Sequence, residues 1–106
     1  MRLIKQLSDD IIINIDEARD KIGTAYRLHD ENPDAAAWYK KMAESHIQFN
    51  QQAHGIVAKL ISDHKSSADY AARKDYYDGM LDAWNTIHTD TMEKTAEVQT
   101  MITLYK

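Results

Sequence analysis

The sequence predicts an all-α fold: an up-down-up bundle of three long helices over about residues 3–30, 35–65 and 69–105. Three observations lead there. Only three Gly and one Pro occur in 106 residues, too few for the many turns of an all-β fold. Apolar residues recur at alternating steps of three and four along three long stretches, the period of one helix face. Two short polar breaks separate those stretches, and short connections between long helices make neighbours antiparallel.

The first stripe is Leu3, Leu7, Ile11, Ile15, Ala18, Ile22, Ala25 and His29. Ser8, followed by Asp9 and Asp10, resembles a helix start, since Ser caps and acids favour the positive helix end. Leu3 and Leu7 are in phase with the later positions, so one continuous helix is expected. Ile11, Ile12 and Ile13 are successive β-branched residues and locally suit a strand, but the surrounding stripe favours helix. Gly23 lies inside this helix, where it weakens helical propensity and is expected to permit close helix approach.

Pro33 makes the clearest break, because it cannot continue a helix and biases Asn32 away from helical geometry. Asp34 then suits a cap for a second helix opening on Ala35. Its expected stripe is Trp38, Met42, His46, Phe49, Ala53, Ile56, Leu60 and His64. The second break, 65–69, is weaker, with Ser67 or Asp69 as the new cap. The third stripe is Tyr77, Leu81, Trp84, His88, Thr91, Thr95, Val98, Ile102 and Tyr105. Its middle is polar, and Gly79 near its start suggests a kink.

Composition bounds the function. At 43% hydrophobic and 28% charged, the chain resembles a soluble globular protein of one domain, residues 1–106. A net charge of −4 argues against a nucleic-acid binder, which needs a basic face. The absence of cysteine excludes disulfides and Cys-based zinc sites and suggests an intracellular, cytoplasmic setting. The longest apolar run is Ile11-Ile12-Ile13, so neither a membrane span nor a signal-peptide core is expected.

Helices of about 28 to 37 residues span roughly 42 to 55 Å, long for one small domain. Such a slender bundle is expected to self-associate. Candidates for the second face are Ile4, Ile12, Tyr26, Tyr39, Val57, Ile61, Tyr76, Met80, Ile87, Met92 and Met101.

Turns near residues 32 and 67 place level those pairs whose numbers add to about 64 and about 135. Ala18, His46 and His88 then share one layer, with Thr91 and Thr95 further along. His46 and His88 are the candidate metal ligands, since imidazole is a common transition-metal ligand between facing helices. The simpler expectation is a buried polar layer in which the two histidines hydrogen-bond and fix register. The same numbering puts Trp38 and Tyr105 with Tyr26 and His29 at one end, and Tyr70, Tyr76 and Tyr77 with His64 and Leu3 at the other.

Two local resemblances bear on these histidines. Met42-Ala43-Glu44-Ser45-His46 resembles the ferritin-like di-iron proteins, which carry Glu followed three residues later by His. Here Ile47 stands at that third position, Ala96 and Thr100 follow Glu93 and Glu97, and a fourth helix is missing, so no iron site is carried over. Ala53-His54-Gly55-Ile56 resembles the context of the exposed phosphoacceptor in histidine phosphotransfer domains. That family has Lys and Gly three and four residues on, where this chain has Val57 and Ala58. His54 lies off the stripe and is expected in solvent.

No HExxH, Gly-rich phosphate loop or G-x-S-x-G is present. The expected function is therefore non-catalytic and without a cofactor: a small acidic interaction or assembly protein, acting through a protein partner or as a homo-oligomer, of the kind found among phage and bacterial accessory proteins. The alternative is a metal- or small-ligand-binding bundle using His46 and His88.

Overall fold

A computed structural model describes residues 2–105, which leaves Met1 and Lys106 of the expected 1–106 span outside the described residues. Helices α1 (Arg2–Leu28), α2 (Pro33–Lys65), α3 (Ala68–Ala72) and α4 (Lys74–Leu104) follow one another, with no strand among the described residues. The three long helices pack antiparallel in sequence order as an all-α bundle. The result is a rod of 60 × 17 × 16 Å. Its radius of gyration, 17.2 Å, exceeds the roughly 13 Å of a compact domain of this length.

Helix α1 runs unbroken through Ser8, which is buried rather than capping. Its inner face is Ile4, Ser8, Ile11, Ile15, Ala18, Ile22 and Ala25. From Ile11 to Ala25 this is the expected stripe, while His29, expected to end it, lies past the helix and is exposed. At the start, Ile4 replaces Leu3, which is 51% exposed. Within the isoleucine triplet only Ile11 is buried, as the helical period requires. Asn32, not Asp34, caps α2: its side chain accepts from the Ala35 N–H at 3.2 Å, and Pro33 occupies the first turn, where its missing N–H is no loss.

Helix α2 departs most from expectation. Its buried face is Ala36, Ala43, Ile47, Asn50, Ala53, His54, Val57 and Ile61. Trp38, Phe49 and Ile56, read from sequence as core, are 56, 38 and 50% exposed. The helix carries two apolar lines, and the one with larger side chains faces outward. Small residues win the inside because α1 and α2 approach far more closely than either approaches α4. Ala18, Ala25, Ala36 and Ala43, all fully buried, leave room for that approach. Ile4, Val57 and Ile61, candidates for an association face, belong to this core instead.

Gly23 does not serve close packing. A Cβ there would meet only the Arg27 guanidinium at 3.7 Å, an ordinary contact. Gly23→Ala is therefore expected to raise unfolding free energy by about 0.5–1 kcal/mol in a denaturant titration, through helix propensity alone.

The second connection is longer than the sequence suggests. Ser67 caps α3, accepting from the Tyr70 N–H at 3.1 Å. The third helical stretch is interrupted at Arg73 (φ −129°, ψ 38°), while Gly79 sits in regular helix. Two reciprocal bridges span that interruption: Tyr70 Oη donates to Asp78, and Tyr77 Oη donates to Asp69 at 2.6 Å. Lys74 also donates to Asp78, at 3.2 Å. The Tyr70 hydroxyl and the Lys74 ammonium together hold the Asp78 carboxyl below its ordinary range. Folding the chain back through α3 moves the centre of the reversal from residue 67 to about residue 71, which slides α4 along α2 by about two helical turns.

Candidate functional site

That slide decides which histidines meet. His46 and His88 do not. His88, half-buried on α4, faces His54 of α2, with ring centroids 5.2 Å apart and planes at 79°. His46 lies on the α1 side of α2 and bonds Asn14, Nδ1 to Oδ1, at 2.5 Å. Asn14 in turn donates to the Asp10 carbonyl at 2.9 Å, so its Oδ1 accepts from a His46 Nδ1–H. The expected Ala18–His46–His88 layer is thus two separate polar contacts. The first joins α1 to α2, and the second joins α2 to α4.

His54 is 7% exposed, which corrects its expected place in solvent and removes the geometry of an exposed phosphoacceptor. Its Nε2 lies 3.2 Å from the hydroxyl of buried Thr91. Thr91 Oγ1 also lies 3.0 Å from the His88 carbonyl. A carbonyl only accepts, so the single hydroxyl proton points to His88 and Thr91 accepts an Nε2–H from His54. This proton order is the reverse of a base-activated nucleophile, in which the imidazole would accept from the hydroxyl. One turn on, buried Thr95 donates to the Thr91 carbonyl at 2.7 Å. The polar middle of α4 therefore bonds mostly within its own helix, reaching α2 through Thr91 alone.

Burial pushes the His54 imidazole below the ordinary histidine value of 6.5, and the facing His88 adds to this. Burial alone lowers His88 as well. Both shifts favour the neutral imidazole. His88 Nδ1 is enclosed and has no hydrogen-bond partner. Among the described residues, no three His, Asp or Glu side chains are grouped as a metal ion would need. A metal here would find two imidazoles and no carboxylate.

The bundle ends fall largely where expected. Tyr105 packs edge-on to Tyr26 at 5.1 Å, its hydroxyl lies 3.0 Å from His29 Nδ1, and Lys40 sits 5.6 Å over its ring. Trp38 is not part of this cluster. It stands in solvent, edge-on to Tyr39 at 5.0 Å. At the far end His64 packs against Tyr70 and Tyr77, at 6.1 and 4.5 Å, while Leu3 and Tyr76 are exposed. Sequence reasoning missed buried Asn50, whose Nδ2 donates to the Ile11 carbonyl at 3.3 Å. The signal was available in its position, three residues from both Ile47 and Ala53 on the inner line.

A further feature, outside these contacts, is apolar. Trp38, Met42, Phe49, Ile56 and Leu60 form one line along α2, exposed or half-buried throughout. It runs on the flank shared with His46, which meets α1, and away from Gln51 and His54, which open toward α4. No described helix is long and apolar enough to cross a membrane. Comparison with known protein families, curated proteins and solved structures found no match.

Proposed function

We propose that this chain is a small acidic helical interaction and assembly protein, non-catalytic, that works by presenting one face of α2 to a protein partner or to another copy of itself. The observation that carries this reading is the line Trp38–Met42–Phe49–Ile56–Leu60. Single exposed apolar residues are normal on any surface, but five large apolar side chains on one flank of a helix, spaced by Ser45 and Gln52, support an interaction face. The absence of cysteine supports a cytoplasmic setting, and the charge of −4 supports a protein rather than a nucleic-acid partner. A phage or bacterial accessory role suits such a chain. The alternative reading, metal or ligand binding through core histidines, now rests on His54 and His88 rather than His46, and on the unpartnered His88 Nδ1.

Native size analysis of an extract from the source cells tests the proposal. The wild-type chain is expected to elute in a complex larger than its 12.2 kDa mass, and Phe49→Lys with Ile56→Lys to release it. Elution of the wild-type chain as a free monomer, or no effect of the double substitution, contradicts the reading.

A further inference from the structure

The hydrogen bonding of His54 fixes which of its nitrogens carries the proton. Its Nε2–H donates to the Thr91 hydroxyl at 3.2 Å, so the lone pair of the neutral ring is on Nδ1. A free lone pair on one ring nitrogen, with the other N–H held by a partner, is the arrangement of a metal-ligating histidine. A second imidazole, His88, faces it across the seam between α2 and α4. A third donor stands one turn further along α4. Met92 follows His88 by four residues, on the same side of the helix, and lines with His54 the cavity between α2 and α4. We infer that His54, His88 and Met92 form a site for a soft monovalent metal ion, copper(I), with two imidazole nitrogens and one thioether sulfur as ligands. The inference rests on the second reading above, metal binding through the core histidines, and names its ion and its third donor.

The spacing of the rings fits. A ring centre lies about 1 Å from its nitrogens and a bound ion about 2 Å beyond them, so two imidazoles on one ion have centres about 6 Å apart in a line and about 5 Å apart when a third ligand bends them. The centres of His54 and His88 are 5.2 Å apart, the bent case, and closing on an ion requires rotation of side chains only. Burial favours the neutral form of both rings, the form that binds metal. Met92 is 49% exposed and His54 7%, so the thioether stands at the mouth and the imidazole on the floor, which gives an ion a way in.

The donor set selects the ion. Thioether sulfur favours copper(I), imidazole accepts it, and magnesium, calcium and manganese call for the oxygen ligands missing here. Among the described residues no three His, Asp or Glu side chains are grouped, so a tetrahedral zinc site is not provided. The chain has no cysteine, so no thiolate draws a soft ion elsewhere.

Silver(I), a copper(I) analogue that does not change oxidation state, is the probe. Calorimetric titration of the wild-type chain in chloride-free buffer is expected to show one equivalent bound, with the Met92 methyl and the His54 and His88 ring signals shifting together in NMR spectra. Met92→Leu, conservative at an exposed position, is expected to weaken silver binding at least about ten-fold and to leave any zinc binding unchanged. His54→Leu with His88→Leu is expected to abolish the site. No binding of silver at tens of micromolar, or binding that survives the double histidine substitution, would overturn the inference. If zinc binds through the two histidines more tightly than silver, or Met92→Leu leaves silver binding unchanged, the soft three-donor site fails while the histidine reading stands.

Discussion

Ile47→Ala is expected to lower the unfolding free energy by about 2–5 kcal/mol, the range for removing a fully enclosed aliphatic side chain. Ile47 is 1% exposed on the inner line of α2. At the size of this chain that loss moves the thermal midpoint by more than about 10 °C. Ile56→Ala, nine residues along the same helix, is expected to change the dilute monomer's stability by no more than about 0.5 kcal/mol, because Ile56 is 50% exposed on the outer line. The contrast is informative because the residue type, helix and substitution are the same. Only the angular position differs, so chemical denaturation of the two variants at low concentration measures which face of α2 belongs to the fold.

The second large effect is on pH dependence. His54 and His88 have their folded pKa values lowered from 6.5, chiefly by burial. A depressed folded pKa means that above 6.5 both folded and unfolded chains hold these rings neutral, and the stability of the buried pair is fully present. Below 6.5 the unfolded chain takes up protons that the folded chain resists, so stability falls as pH drops from there toward the lowered values. Protonating both rings would also set two positive charges about 5 Å apart. Unfolding followed between pH 7.5 and 5 is expected to show this decline. His54→Leu with His88→Leu is expected to flatten it and to leave stability at pH 7 equal or higher, since the swap removes the unpartnered Nδ1 of His88 along with its neighbour. A decline that survives the double substitution would assign the pH dependence to other groups.

Most of the architecture was legible because it depends on period alone. Three stripes and two breaks locate three long helices, and the third stripe placed Leu81, Thr91, Thr95, Val98 and Ile102 correctly in the core. The inner face of α2 was harder to read because hydrophobicity ranks Trp38, Phe49 and Ile56 above Ala36, Ala43 and Asn50. Only the close approach of α1 reverses that ranking, and closeness is a tertiary property that a single helix does not display. The histidine pairing failed for a different reason. The register arithmetic treated the second connection as a short loop, whereas α3 and the interruption at Arg73 lengthen it and carry His88 past His46 to His54. A small shift in the centre of a reversal doubles when read as register across it. The two stretches that locate the bundle ends were less sensitive, because Tyr26 with Tyr105 and His64 with Tyr77 involve large rings with long reach.

The central claim is that α2 has two apolar faces with separate tasks, one holding the bundle and the other holding a partner. The most direct measurement is the thermal midpoint as a function of protein concentration for the wild-type chain and for Ile47→Ala and Ile56→Lys. Association stabilises the folded chain by mass action, so the wild-type midpoint is expected to rise with concentration. Ile47→Ala is expected to lie well below it at every concentration with the rise retained. Ile56→Lys is expected to match the wild-type chain when dilute and to lose the rise. An Ile56→Lys midpoint as low as that of Ile47→Ala in dilute solution would contradict the claim, and a wild-type midpoint independent of concentration would contradict self-association through the outer face.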